Sequence, residues 1–237
     1  MAGSEESVRR GLRARLTGPT IQGWVVDAND GIIATAGLLE GFAGAGAGDQ
    51  LLITAALAAT IAGALSVGGA KWAEAAAERD AQLATVAYEQ RLLAANPDDE
   101  LTELVEHYTG RGLTPDLARE VAEQLHAADP LAAQLETEYG IGEIPSARAP
   151  VFTGLGAGIA FAVGSSIPLL ITFVAPISLD AIAVLLAVVV SLIITSIIAA
   201  RSAYLSARRT IIRTLIVGLG TLGVSYVAGM VLLPPAG

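Results

Sequence analysis

The stretch VVDANDGIIATAGLLEG, residues Val25 to Gly41, has the apolar and glycine-rich composition of a membrane-crossing helix. It nevertheless contains the carboxylates of Asp27, Asp30 and Glu40. An acidic residue at the centre of a bilayer costs about 2.5–3.5 kcal/mol or more, so it needs a partner, an ion or a path for water. The stretch therefore predicts an all-α integral membrane protein in which one span uses its acids.

The whole chain has the composition of a membrane protein. Its 237 residues are 53% hydrophobic, and the net charge is −9. It has no cysteine, which excludes disulfides and thiolate metal sites. The block from Lys71 to Ala147 holds 16 acidic and 5 basic residues, a balance that attracts cations and repels nucleic acid. No nucleophile elbow, phosphate loop or catalytic triad is recognisable, so we do not expect an enzyme.

Five segments are long enough to cross a hydrocarbon layer of about 30 Å, which takes about 20 residues. The connections GAGAGDQ, APISLD and PPAG carry no Lys or Arg, so all 14 basic residues fall on the same side of the membrane. Basic residues mark the cytoplasmic side. We therefore expect the N-terminus and the segment between spans two and three in the cytoplasm, and the C-terminus outside. The predicted spans lie near residues 24–46, 51–70, 151–174, 178–200 and 211–233.

These spans define the expected domain order. A cytoplasmic tail, 1–22, precedes transmembrane helices one and two, 23–70. An acidic, helical, cytoplasmic insert follows at 71–147, and transmembrane helices three to five occupy 148–237. The glycines of span three, Gly154, Gly156 and Gly158, are expected to allow close helix packing, and Pro168 to kink that helix.

The insert is predicted to be wholly helical. Its first helix continues span two without a break until NPDD, which begins at Asn96. Three shorter helices follow: one from about Asp98 to Tyr108, one capped by Thr114 and one capped by Asp129. In the third insert helix, Leu117, Val121 and Leu125 share a face and are expected to form its apolar seam.

Asp27 and Asp30 are the candidate residues of a transport pathway. They are three residues apart and are expected to share a helix face, with Asp30 about 9 Å inside the span. The same face carries Ala34, Gly37 and Gly41, a stripe of small residues that admits another helix or leaves room for a pore. The alternative is that Asp27 lies at the membrane interface and Asp30 caps a helix.

The insert offers carboxylates at helical spacing that could bind metal. Such pairs can hold one divalent cation, and oxygen ligands with an occasional imidazole suit Fe²⁺, Mn²⁺ or Zn²⁺. For each pair the alternative is an ordinary solvated helix face. The pairs and groups include Glu74 with Glu78, and Glu100, Glu103 and Glu106 with His107.

With these residues in view, the chain resembles the vacuolar iron transporter family, which includes the yeast vacuolar iron and manganese importer and nodulin-21-like proteins. The resemblance runs from about Gly23 to the end of the chain. It is carried by DANDGIIATAGLLEG in span one, AGALSVGGAKWAEAAAERD leaving span two, RGLTPDLAREVAEQL and LETEYGI in the insert, and GSSIPLL in span three.

The resemblance implies a homodimer that exports Fe²⁺ or Mn²⁺ from the cytosol in exchange for protons. The first spans would line a central pathway, and glutamates of the insert would collect metal. By the same resemblance Asp30 matches the pathway Asp and Glu138 matches a late metal-binding Glu. In the first insert helix, the acids that remain from the family's metal-binding motifs are Glu74, Glu78, Asp80 and Glu89.

No permanently bound cofactor is expected, since the metal would be transported or transiently bound, with Zn²⁺ as a further candidate. The partners would be a second copy of the chain, lipid, metal ions and protons. The composition favours a bacterial plasma membrane, or the vacuolar membrane if the chain is eukaryotic.

The chain also departs from the family pattern. Ser66-Val67 stands where the family often has a Met, Ala59 lies near the place of a Glu, and the first insert helix has no E-x-x-E pair. Without a thioether, the expected ions are Mn²⁺ or Fe²⁺ on carboxylates. These departures motivate a second hypothesis, a membrane-anchored metal-binding or regulatory protein that has lost transport.

Overall fold

The computed structural model describes residues 18–174 and 180–232. Most of the predicted tail 1–22, nearly all of the APISLD connection and the PPAG end lie outside the described residues. The described part contains helices and no strand, which confirms the all-α prediction. Its eight helices are α1 Gly18–Gly44, α2 Asp49–Ala95, α3 Pro97–Gly110, α4 Pro115–Ala128, α5 Pro130–Glu138, α6 Ala149–Val174, α7 Asp180–Ser202 and α8 Ala207–Leu232.

The chain divides into two compact units. One comprises residues up to Trp72 together with those from Val151 onward, and the other comprises Ala73–Pro150. We call them the membrane unit and the insert unit. The first insert helix does continue span two without a break, because α2 runs uninterrupted through both units to Ala95.

Four helices of the described part are long and apolar enough to cross a membrane. They are α2, α6, Ile182–Ser202 of α7 and Ala207–Val231 of α8. The chain is therefore a helical membrane protein. Helix α1, which covers most of predicted span one, is not among the four. Its acids Asp27, Asp30 and Glu40 lower its hydropathy. Five-span crossing stays a prediction.

Helix α1 buries one face against α7 and α8. Ile32 and Ala36 of α1 are fully buried and belong to one apolar cluster with residues of both neighbours. Fully burying a side chain of the size of Ile contributes about 1.5–3 kcal/mol in a soluble core, and in a bilayer the same contacts act through close packing. The cluster continues through Val184, Val188 and Leu192 of α7 and Leu222 of α8.

Glycines bring α1 into backbone contact with α6. A Cβ atom on Gly164 would collide with the carbonyl oxygen of Ala28, and one on Gly31 would collide with that of Phe161. The hydroxyl of Ser165 donates to the carbonyl oxygen of Gly31 at 3.2 Å. Small residues at a helix crossing allow this approach in a membrane, where van der Waals contact drives association.

The predicted glycine packing of α6 is confirmed on its α2 side. A Cβ atom on Gly154 would lie 2.6 Å from the carbonyl oxygen of Gly68, and one on Gly158 would lie 2.8 Å from that of Ala64. Pro168 lies inside α6, and the hydroxyl of Thr172 donates to its carbonyl oxygen at 3.1 Å.

The stripe of small residues on α1 admits another helix, which is one of the two uses predicted for it. A Cβ atom on Gly37 would lie 3.3 Å from the hydroxyl oxygen of Ser225, and one on Gly41 would lie 3.3 Å from the carbonyl oxygen of the same residue. Both glycines therefore pack against α8 of the same chain. Only Ala34 stays exposed together with Asp30.

The insert helices begin where the sequence predicts. Asp129 caps α5, since its Oδ1 accepts from the backbone N–H of Ala132 at 3.0 Å, and Gly140 follows the helix with a positive φ of 65°. Thr114 occupies the N-cap position of α4, but its side chain makes no capping hydrogen bond.

The predicted apolar seam of α4 is wrong. Leu117 is 48% exposed and Leu125 is 38% exposed, whereas Ala118 and Ala122 are completely buried. The face that packs is rotated by one residue, about 100°, because alanines let the neighbouring helices approach closely. Leu104 of α3 fills the space that the alanines leave.

Replacing Gly164 by Ala is expected to lower the stability of the membrane unit by about 1–3 kcal/mol, because the new methyl group meets the backbone of α1. Gly220→Ala is the matched control, since its Cβ would meet nothing within 4 Å and Ala is favoured in a helix by about 1 kcal/mol. Thermal unfolding of the purified proteins in detergent measures both. Equal midpoints for the two variants would contradict the packing described.

Candidate functional site

The two aspartates of α1 lie in different environments. Asp27 is 6% exposed, whereas Asp30 is exposed on the surface of the single chain. Residues three apart on a helix are separated by about 60° around its axis, and the edge of the helix bundle falls between these two. The predicted shared face is thus divided into a buried acid and an open one.

Lys71 of α2 provides positive charge for both aspartates. Its ammonium group attracts the carboxylates of Asp27 and Asp30. An opposite charge is the kind of compensation that acids in a membrane segment require. A cation that binds Asp30 would compete with this ammonium group for the same oxygens.

The insert unit contains a second acidic site around Glu89. This part of α2 lies beyond Trp72, in the charged stretch that belongs to the insert unit. Glu89 is completely buried, and neither carboxyl oxygen has a hydrogen-bond donor among the residues described. Glu100 of α3 is also buried, and Gln134 of α5 donates its Nε2–H to Glu100 Oε2 at 3.1 Å.

Burial raises the pKa of Glu89 to about 7, and the neighbouring carboxyl group of Glu100 adds to this. The negative charges of Glu138 and Glu103 also raise the pKa of Glu89. Four carboxyl groups from three helices therefore act on one another, and we call them the insert cluster.

The pKa values of Glu103 and Tyr139 are also raised. Burial, followed by the charges of Glu100 and Glu138, raises the pKa of Glu103. Burial and Glu138 raise the pKa of Tyr139 to about 12. Each shift has desolvation as its largest cause, so a bound cation would relieve the site by restoring the favourable interactions that water provided.

A cavity of about 260 Å³ opens beside the insert cluster. Its oxygen groups and its single imidazole are ligands that suit Fe²⁺ or Mn²⁺. Within residues 18–174 and 180–232, however, no three His, Asp or Glu side chains converge closely enough to enclose a metal ion. The cavity is lined by Glu103, Leu104, Glu106, His107, Gln134, Thr137 and Glu138.

The structure brings together only part of the predicted metal set. Glu89 and Glu138 meet in the insert cluster, whereas Glu74 and Glu78 are exposed on α2 and are not among the groups acting on Glu89. Glu100 and Glu103 were predicted as a possible metal-binding group of their own helix, together with Glu106 and His107. The structure adds that they act on Glu89 of α2, which spacing along one helix did not reveal.

The raised pKa of Glu89 predicts a pH-dependent insert. A carboxyl group whose pKa rises from 4.5 in the unfolded chain to about 7 stabilises the fold below pH 4.5, and this contribution is lost as pH rises through 7. Protection of the α3 and α5 amides from hydrogen exchange, corrected for intrinsic rates, should therefore fall over that range.

Glu89→Gln should abolish this fall, because the amide does not titrate. Glu120→Gln is the matched control on the exposed side of α4 and should leave it unchanged. Mass spectrometry of the full chain in detergent makes the measurement. An unaltered pH profile in Glu89→Gln would show that another group is responsible.

Known proteins resemble this chain over most of its length. A protein named vacuolar iron transporter from Acanthamoeba castellanii is 38% identical over 153 residues, which are 63% of this chain and 55% of that protein. Vacuolar iron transporter 1 of Arabidopsis thaliana is 26% identical over 166 residues, covering 70% of this chain and 66% of the relative. Vacuolar iron transporter 1 of Oryza sativa subsp. japonica is 27% identical over 155 residues, covering 65% and 62%.

These matches span between about half and two thirds of the relatives' own lengths. The family model has the broader match, since it covers residues 21–230 and so includes α1, the insert cluster and nearly all of α8. The chain belongs to the VIT family.

Proposed function

We propose that this protein exports a divalent transition metal, Fe²⁺ or Mn²⁺, from the cytosol in exchange for protons. The ion would pass along α1 at the centre of a homodimer. The names of the relatives support metal transport, with iron as the named metal. The resemblance stated from the sequence adds manganese, the direction and the exchange with protons.

The observation that carries this proposal is the position of Asp30. Its side chain is exposed on a helix of the membrane unit. A carboxylate that faces lipid is costly, so this face of α1 should meet water, a cation or a second copy of the chain. A pathway between two copies of α1 provides all three.

Competition for Asp30 would couple metal to protons. A metal ligand must be deprotonated, so one carboxylate cannot hold a metal ion and a proton together. Release of the metal on the outer side would leave Asp30 free to bind a proton there. The proton would then be released on the cytosolic side when the next metal ion binds. Asp27, buried one turn away, would hold further negative charge next to the ion.

The insert cluster would act as a collecting site before the membrane. Clustered acids raise the local concentration of cations, and the insert carries most of the chain's negative charge. We propose that the N-terminus and the insert lie on the cytoplasmic side and the C-terminus outside, in a bacterial plasma membrane or, if the chain is eukaryotic, with the C-terminus on the far side of a vacuolar membrane.

A second candidate function is a membrane-anchored metal-binding or regulatory protein that has lost transport. Lys71 favours it, because an ammonium group that already compensates Asp27 and Asp30 leaves less need for a divalent ion there. Glu89, whose carboxyl oxygens have no hydrogen-bond partner among residues 18–174 and 180–232, would still bind metal in the insert.

Transport in proteoliposomes tests the proposed pathway. Wild-type protein should carry Mn²⁺ or Fe²⁺, and Asp30→Asn should lower the initial rate by at least about tenfold, because the amide cannot exchange metal for a proton. Asp49→Asn, at the first turn of α2, is the matched control and should transport normally. Equal flux in wild type and Asp30→Asn would remove Asp30 from the pathway.

Metal binding to detergent-purified protein separates the two candidates. Glu89→Gln should weaken Mn²⁺ binding by about tenfold or more through loss of a charged ligand, whereas the exposed Glu120→Gln should not. Calorimetry provides the affinity. Wild-type protein that binds Mn²⁺ at Glu89 but carries none across the membrane would support the binding protein.

A further inference from the structure

A hydrogen bond joins α1 to α7 immediately beside Asp30. The hydroxyl of Thr195 donates to Oδ1 of Asn29 at 2.6 Å, and the bond is partly buried. Asn29 directly precedes Asp30 in the chain. This hydrogen bond therefore connects α1 to α7 one residue away from the proposed pathway residue, Asp30.

The contact can persist while the hydroxyl proton changes partner. The oxygen of Thr195 also lies 2.8 Å from the carbonyl oxygen of Ser191 in its own helix. When the proton turns to Ser191, the amide group of Asn29 can reorient and donate to the same hydroxyl oxygen. Thr221 provides a contrast, because its hydroxyl donates to Val217 O of its own helix.

The opposite side of the same turn is fixed by α6. The hydroxyl of Ser165 donates to Gly31 O, and Gly164 lies against the backbone of Ala28. Asn29 thus holds α1 against α7. Ala28 and Gly31, which lie on either side of Asp30 in the chain, hold α1 against α6. Asp30 is left exposed between the two anchors.

This arrangement limits rotation of α1 about its own axis. The end of a side chain lies about 5–6 Å from the helix axis, so a rotation of about 20° moves it by about 2 Å. Metal ligands need their distances held within about 0.2 Å. A bond that restricts rotation one residue away from a ligand therefore controls whether that ligand reaches the ion.

We propose that Asn29 and Thr195 form a positioning pair that sets the orientation of Asp30 toward the transported cation. This inference rests on the proposed function, because it assigns to Asp30 the role of a metal ligand. Neither residue of the pair touches the ion. The pair acts through the rotation of α1.

The first test compares Mn²⁺ transport by Thr195→Val, Thr195→Ser and Thr221→Val in proteoliposomes. Thr195→Val keeps the shape and removes the hydroxyl, so the apparent KM for Mn²⁺ should rise by about three- to tenfold. Thr195→Ser should restore the wild-type KM. Thr221→Val removes a hydroxyl that bonds within its own helix and should have no effect.

The second test needs no transport. The chain has no cysteine, so Asp30→Cys introduces a single thiol into the full-length protein. Its labelling rate with a water-soluble maleimide should change by about threefold or more when Thr195→Val is added. The rate should be unchanged when Thr195→Ser or Thr221→Val is added instead.

The outcomes separate this inference from the proposed function. Wild-type KM and an unchanged labelling rate in Thr195→Val overturn the positioning pair and leave the pathway intact. A defect that Thr195→Ser does not restore also overturns it, because side-chain shape would then be the cause. If Asp30→Asn transports normally, the proposed function fails, and the labelling rate alone decides whether the pair orients position 30.

Discussion

The acids of α1 impose the constraint on which the membrane unit depends. A helix with three carboxylates is poorly suited to face lipid on all sides, so it must be enclosed by other helices. Glycine at positions 31 and 164 lets α1 and α6 approach to backbone contact, and Gly41 lies against the backbone of Ser225 in α8. The remaining open face is the one that carries Asp30.

The same physics governs both acidic regions. In the membrane unit, Lys71 supplies positive charge to the aspartates of α1. In the insert, Glu89 is buried without a donor in the described part of the chain, and protonation substitutes for a cation. In the proposed function, a divalent ion would supply the missing positive charge at both groups of carboxylates.

The sequence predicts the helices well because their ends depend on local chemistry. Pro115, Asp129 and Gly140 act within one turn of their own positions, and the run of good helix formers after Trp72 keeps α2 continuous. Which face packs depends on neighbours distant in sequence. The periodicity of α4 predicted that Leu117 packs against the neighbouring helices, but the buried residue is Ala118. The meeting of Glu89 with Glu100 likewise depends on how separate helices pack, which spacing along one helix does not reveal.

If α1 exchanges a metal ion for protons, a pH gradient must drive the metal uphill, which can be measured in proteoliposomes. Proteoliposomes with equal Mn²⁺ on both sides would receive an imposed pH gradient. Net Mn²⁺ movement is expected against its developing concentration gradient and opposite in direction to the proton flow, and it should be lost when a proton ionophore removes the pH gradient. Mn²⁺ that stays at equal concentration under a maintained pH gradient would rule out the exchange of metal for protons.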